Sequence, residues 1–270
     1  MRALLKIGLA LLVLAFVLIG ASYGMLRSQG ISGPATTAGR MAGSEVRTVS
    51  KRISAVELSG PIDLSLRYGQ EPSLVVRGEQ RLLGNVETVE DGGVLHIGTR
   101  GIVLRHRRPL QVTLVLPSLT RLTIDGSGDS KIDGFSGERV ELRLDGSGTA
   151  KFNGRYRQVS AILHGSGDLE LESGNSDKLV AEINGSGELT LVGGAKDFRG
   201  MLRGSGDLDA RHLRADVVEI EQVGSGNSTV FARNSVTASL SGTGDIEVLG
   251  DPPQRSVSRN GSGEVIFRTE

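Results

Sequence analysis

Residues Leu122–Ile132 read LTIDGSGDSKI: alternating apolar positions, a Gly-Ser-Gly-Asp phrase, then alternation again. The phrase returns at Gly126, Gly146, Gly165, Gly185, Gly204, Gly224, Gly242 and Gly261, in steps of 20, 19, 20, 19, 20, 18 and 19 residues. Seven copies are Gly-Ser-Gly, and the copy at Gly242 is Gly-Thr-Gly. A fixed period of this length marks an architecture of stacked repeats.

Between the phrases the apolar residues recur at every second position. Val140-Leu142-Leu144, Leu179-Ala181-Ile183 and Val236-Ala238-Leu240 precede a phrase; Leu169-Leu171, Leu189-Leu191, Ile246-Val248 and Val265-Phe267 follow one. Period two puts these side chains on one face of a strand, and no stretch carries a helical stripe. Each repeat is expected to hold two or three short strands joined by sharp turns. A unit of 19 or 20 residues with one thin apolar face cannot bury it alone. Stacked units cover one another. The sequence therefore predicts an all-β, parallel β-helix-like solenoid with one coil per repeat. Eight coils about 4.8 Å apart would span about 34 Å. Glycine reaches positive φ without steric cost, so two glycines flanking a small residue suit a tight corner. The pairs Gly126/Gly128, Gly146/Gly148, Gly165/Gly167, Gly185/Gly187, Gly204/Gly206, Gly224/Gly226, Gly242/Gly244 and Gly261/Gly263 are expected to form such corners. The stacked serines between them are expected to share hydrogen bonds along the rod.

The 270-residue chain carries 31 basic and 31 acidic side chains, which argues against a nucleic-acid partner. It has no cysteine, which excludes disulfides, thiolate metal sites, a cysteine nucleophile and a lipoprotein anchor. Near the start, Arg2 and Lys6 precede the uncharged stretch Ile7–Leu26, closed by Arg27. As a helix it would span roughly 30 Å, a membrane's hydrocarbon core. Residues 1–26 thus read as a hydrophobic helical anchor, or as a signal peptide cut near the small residues GASYG. Length and the lack of a clear A-x-A site favour the anchor. The basic flank predicts export of the remainder. Residues 27–45 are small, polar and aperiodic, a flexible linker.

Residues 46–120 lack the glycine phrase but hold strand-like runs: ISAVELS, IDLSLRY, SLVVRG, GVLHIG and LQVTLVLP. They read either as irregular first coils of the rod whose repeats fill residues 121–270, or as a cap over its open end.

The order of GPIDLSLRYGQEPSLVVRGEQRLLGNVETVEDGGVLHIGTR, then LQVTLVLPSLTRLTIDGSGD, then repeated GSGD phrases resembles the autotransporter adhesin head family, the GIN domain of bacterial envelope proteins. The resemblance covers about Val46 to Glu270 as one head domain. It implies a stacked all-β head, exported and often tethered by an N-terminal hydrophobic segment. It brings no catalytic residues. The chain departs from the motif at Thr149, Glu188, Asn227 and Glu264, where aspartate is expected, and at Thr243 in the serine position.

Six of the eight residues after the phrase are acidic: Asp129, Asp168, Glu188, Asp207, Asp245 and Glu264. Stacked about 5 Å apart they would repel by about 1 kcal/mol per pair even in water. A cation ladder of Ca²⁺ type would relieve this. Solvent, or backbone N–H groups in the turn, would do so equally, and Thr149 and Asn227 interrupt the row. The phrase is not a G-x-S-x-G nucleophile elbow, nor a phosphate loop, which needs a following helix. His96, His106, His164 and His212 lack metal-ligand spacing and read as surface imidazoles. No catalytic residue, metal or cofactor is expected. Arg100, Arg105, His106, Arg107 and Arg108 form a basic cluster, either a solvated loop or an attractor of lipid headgroups or acidic polysaccharide.

The sequence thus points to a non-catalytic head in the cell envelope, adhesin-like or structural. It would lie outside the cytoplasm, membrane-held or, if cut, secreted. A glycan or protein ligand is the expected partner. The alternative is a polysaccharide-active enzyme on a β-helix scaffold, which three tyrosines, six phenylalanines and no tryptophan make hard to furnish with sugar platforms. After the last phrase stands EVIFRTE without an obvious cap, which predicts self-association through the C-terminal coil.

Overall fold

The computed structural model describes residues 41–101 and 109–269. The hydrophobic segment Ile7–Leu26, residues 27–40 of the linker, and Arg105 to Arg108 lie outside the described residues. Among those described, no helix is long and apolar enough to cross a membrane.

The elements are β1 (Ala42–Arg47), β2 (Ala55–Ser59), β3 (Ile62–Tyr68), β4 (Ser73–Glu79), α1 (Gln80–Leu83), β5 (Val86–Asp91), β6 (Val94–Thr99), β7 (Leu110–Leu116) and β8 (Arg121–Gly126). The repeats follow as β9 (Ser130–Gly146), β10 (Thr149–Gly165), β11 (Asp168–Gly185), β12 (Glu188–Gly204), β13 (Asp207–Gly224) and β14 (Ser228–Gly242). β15 (Ile246–Leu249), β16 (Gln254–Gly261) and β17 (Val265–Arg268) complete the stack. The fold is a β-solenoid of about seven turns. β8 to β14 pair in parallel, each with the next, and β15 to β17 continue the ladder.

The corners of successive coils coincide. The first glycines of all eight phrases are register partners, Gly126 with Gly146 and so on to Gly242 with Gly261. Their carbonyls accept N–H bonds from the next corner, most of them two. Gly146 O takes Ser166 N and Gly167 N, both at 3.0 Å; Gly185 O takes Ser205 N at 2.9 Å and Gly206 N at 3.0 Å; Gly224 O takes Thr243 N at 2.9 Å and Gly244 N at 3.4 Å. The ladder is therefore made by backbone. The serine hydroxyls of the phrases, expected to bond along the rod, stand exposed and make no bond to one another among the described residues.

The two glycines of a phrase serve different needs, which corrects the expectation that both supply a positive φ. Seven of the first glycines, from Gly146 to Gly261, have φ between +112° and +141°, a conformation that side-chain-bearing residues avoid. The second glycines, Gly128, Gly148, Gly167, Gly187, Gly206, Gly226, Gly244 and Gly263, lie outside the left-handed region, as Gly126 does. They are buried, and glycine is needed there for close approach. A Cβ would lie 2.1 Å from Ile62 O at Gly128, 2.5 Å from Gly187 O at Gly206 and 1.7 Å from Gly226 O at Gly244. Across all sixteen corner glycines the distance to a carbonyl oxygen of the coil below is 1.7–2.5 Å.

The alternating residues form one continuous core. Leu169, Leu171, Leu179, Ala181 and Ile183 of β11 are all at most 3% exposed, and the equivalents in neighbouring coils stack on them. Instead of two or three short strands per repeat, β9 to β14 run unbroken through a second bend, absorbing it as register shifts. Near that bend successive coils place Glu138, Arg157, Asp177, Lys196, Asp216 and Arg233, alternating in sign. Arg157 bonds Asp177 at 2.8 Å, Lys196 bonds Asp177 at 2.7 Å, and Arg233 bonds Asp216 at 2.8 Å. The Lys196 and Arg157 bonds hold the Asp177 carboxyl below its ordinary range. Exposed pairs of this kind add little stability. A skipped coil, however, would set like charges together, so the row favours one stacking order.

The lead supplies both coils and a cap. β2 pairs in parallel with β6 on one side and β8 on the other; β3 likewise lies between β7 and β9. The first coil in sequence is thus an inner layer, with a later one outside it. Beyond that outer layer, β5 pairs antiparallel with β6, β4 with β7, and β1 with β4. The segment Pro117–Thr120 steps past the inner coil to reach β8. It is pinned there by Thr120 N to Ser54 O at 2.7 Å and by the Tyr156 hydroxyl donating to Leu119 O at 2.7 Å.

Gly185→Val is expected to abolish cooperative unfolding or lower stability by about 3 kcal/mol or more, whereas Ser186→Ala stays within about 0.5 kcal/mol. Equal melting of the two would refute the glycine-corner account. Burial also raises the Tyr156 phenol above its ordinary value near 10. A proton held more tightly in the folded state means stability present below pH 10 and lost as pH rises beyond it. Tyr156→Phe should cost about 1–2 kcal/mol at neutral pH. Its deficit should then shrink by about 1.4 kcal/mol per pH unit above 10, read by denaturant titration.

Candidate functional surface

The residues that follow the phrase do line up, and they find a job within the stack. Asp63 Oδ1 accepts Asp129 N at 3.1 Å, Asp168 accepts Glu188 N at 3.4 Å, and Asp207 accepts Asn227 N at 2.7 Å. Asn227 Oδ1 takes Asp245 N at 3.1 Å, and Asp245 takes Glu264 N at 2.8 Å. At these five positions a short side chain with a terminal oxygen reaches one coil along; Asp129 makes no such bond to Thr149 among the described residues. Where Thr149 or Glu188 stands instead, the next amide turns to the corner carbonyl: Asp168 N to Gly148 O and Asp207 N to Gly187 O, each at 3.1 Å. Asparagine is therefore an equivalent of aspartate here, and its appearance at 227 leaves the ladder intact. Among the described residues no group of three or more His, Asp or Glu side chains is gathered to hold a metal ion. The six carboxylates of the expected cation ladder lie one per coil.

Asp63 was not signalled by the phrase, and neither was its corner. Gly60, in SGPID, is the ninth corner. Its φ is +95°, and a Cβ on Gly126 would meet its carbonyl at 2.2 Å. The signal was present as a glycine followed three residues later by aspartate, without the Gly-Ser-Gly spelling.

On the face before the corners, polar side chains cluster across coils. His164 Nδ1 lies 3.1 Å from Asp145 Oδ1 and 3.1 Å from Arg143 Nη2, while Nε2 faces Asn184 Nδ2 at 3.0 Å. Arg143 in turn bonds Asp145 Oδ2 at 2.6 Å, which holds its guanidinium above the ordinary range. His164 is thus half-buried in a network rather than the surface imidazole expected. His96, also half-buried, pairs with Glu57 at 2.9 Å. His212 is exposed near the second bend, and His106 lies outside the described residues.

Glu57 and His96 border a groove where the β5 edge leans over this face. It holds about 390 Å³ and is lined by Glu57, Ser59, Glu87, His96, Asp125 and Asp145 among others. The evenly spaced repeats gave no sign of it, because the capping hairpin walls it. Its charged groups are largely spoken for: Glu57 by His96, Glu87 by Arg100, Asp145 by Arg143. Arg100, counted in the basic cluster from sequence, makes an ion pair with Glu87 of β5.

Asp207→Asn should leave stability unchanged, whereas Asp207→Ala should cost about 1 kcal/mol. Chemical denaturation decides it, and a loss from the Asn variant equal to that from Ala would show that charge, not the acceptor, matters.

No curated protein matches the chain. Its fold is shared with crystal structures that include the following three. A "putative adhesin" from Parabacteroides merdae is 19% identical, covers 84% of this chain and 96% of its own, and superposes with a TM-score of 0.78. A "putative adhesin" from Parabacteroides distasonis is 20% identical over 86% and 98%, with a TM-score of 0.80. A "putative lipid binding protein" from the same species is 23% identical over 84% and 96%, with a TM-score of 0.76. Residues 53–252 match the family described as "Putative auto-transporter adhesin, head GIN domain", and the chain belongs to that family.

Proposed function

We propose that this chain is a non-catalytic head of the cell envelope, a rigid β-solenoid that presents its outer surface to a glycan or protein ligand. One observation carries this: the corners spend their backbone groups on the stack yet leave their hydroxyls exposed along the rod, between flanking faces whose outward polar side chains remain partly exposed. The family description supports an envelope or surface location. The apolar stretch Ile7–Leu26 would hold the head to the membrane; of the expected linker 27–45, Ala42–Glu45 belong to β1, which leaves residues 27–41 as the tether. Lipid carriage within the barrel of coils is not favoured. The interior is filled by side chains, and the void beside Leu122, Ile132 and Leu169 measures about 10 Å³. The groove near Glu57 and His96 is the natural ligand contact on the capped end, and the basic run Arg105 to Arg108 would attract acidic polysaccharide or headgroups to the head. The exposed arginines of β16 speak against the end-to-end self-association expected from the sequence.

The groove also gives the enzymatic alternative its one foothold, since it gathers carboxylates beside a histidine. A binding array of glycans and envelope proteins, run with the full chain, should show ligand binding that Glu57→Gln/His96→Ala weakens about tenfold or more. Arg105→Ser/Arg107→Ser/Arg108→Ser should reduce capture of acidic polysaccharide. Release of oligosaccharides by the chain, lost in Glu57→Gln, would replace this proposal with catalysis.

A further inference from the structure

The inward columns of the stack change character at one end. On the face before the corners, one column runs Leu144, Leu163, Ile183, Leu202, Gln222, Leu240 and then Arg259. Its neighbour runs Val140, Val159, Leu179, Phe198, Val218, Val236 and then Arg255. Every member before the arginines is at most 4% exposed. Two guanidinium groups thus occupy positions that the preceding coils fill with buried, uncharged side chains, with Val257 between them.

These arginines are engaged across the end of the coil. The Arg255 guanidinium lies 4.4 Å from the ring centre of Phe267, the inward aromatic of β17. Its Nε donates to Pro252 O at 2.9 Å, and its Nη2 pairs with the Asp251 carboxylate. Arg259 Nη1 donates to Gly263 O at 3.2 Å. That last contact has a counterpart inside the rod. Gln222, in the same column, donates its amide to Gly226 O, also four residues on, and accepts the Ser228 hydroxyl. A polar group in this column can therefore be satisfied in the interior when it is short and neutral. Arginine meets the same carbonyl with its charge left at the surface.

The opposite end is closed in a related way. Arg47 of β1 donates to Val86 O at 2.7 Å, Leu83 O at 3.1 Å and Thr88 Oγ1 at 3.2 Å. Both ends of the rod thus carry guanidinium groups bonded to carbonyls.

We propose that Arg255 and Arg259 are a stop device that prevents a second copy of this chain from adding its own edge strands to β16 and β17. β16 has no partner on its outer side among the described residues, and all eight of its residues are exposed. Such an edge is a template for pairing. A copy docked on it would have to bury both arginines away from water, and two copies meeting end to end would bring the arginines of each together. Inward-pointing charge is one of the ways natural sheets protect their edges.

The absence of cysteine makes the test clean. In the full chain held in detergent micelles, Ser258→Cys places one thiol on the outward side of β16, and Ser186→Cys serves as a mid-rod control. With the arginines in place, disulfide-linked dimer through the thiol at position 258 should not exceed the control. Adding Arg255→Val/Arg259→Leu should raise it at least tenfold, with concentration-dependent sedimentation. Arg255→Gln/Arg259→Gln, which copies the side chain of Gln222, should raise it at least threefold and supplies the decision if the aliphatic pair fails to melt cooperatively. Arg255→Lys/Arg259→Lys should match the parent. Excess dimer in the parent, or folded neutral variants that stay at the control level, would overturn the proposal.

Discussion

The structure depends on how closely one corner backbone lies on the next. A glycine carbonyl receives N–H groups from the corner above it, and that leaves no room for a β-carbon on either glycine. Everything else is subordinate to this contact. It fixes the register of the flanking strands, and the register decides which residues meet in the core and which meet in the aspartate ladder. The serine between the glycines is required only to be small and tolerant of solvent, which is why threonine replaces it at 243.

This constraint also explains which features could be read from the chain. Glycines at a 19–20-residue period and apolar residues at period two are local signals, so corners, core and stacked architecture were legible. The division of labour within a phrase was not. Gly148, Gly206 and Gly244 look identical in sequence to their left-handed partners, and only the carbonyl lying beneath each one shows why it must be glycine. Asn227 breaks the acidic row when side chains are counted as charges. The geometry uses the side chain as a hydrogen-bond acceptor, which asparagine supplies as well. Gly60 was hidden because its corner is spelled Ser-Gly-Pro. Its role comes from lying under Gly126, sixty-six positions away, a relation no window of sequence displays.

The groove shows the limit more sharply. Glu57, His96 and Asp145 come from an inner coil, an outer coil and a repeat, and they approach only because β2 takes partners from both sides. Strand pairing at this range is decided by competition among similar apolar runs, and nothing in ISAVELS or GVLHIG announces which neighbour wins. The half-buried setting of His164 has the same origin: its surroundings are three successive coils, not its own segment.

The placement of the first coil has a consequence for how the molecule is built. A polypeptide that emerges amino end first presents Ala55–Tyr68 before either neighbouring layer exists. This segment must wait, with both edges open, for residues about forty to seventy positions downstream. Later coils need wait only for about twenty residues and can be added one upon another. Assembly is therefore slow at its beginning and quick afterwards. The interval before Leu122 and Ile124 arrive is when this head is most exposed to proteases and most in need of a chaperone's cover.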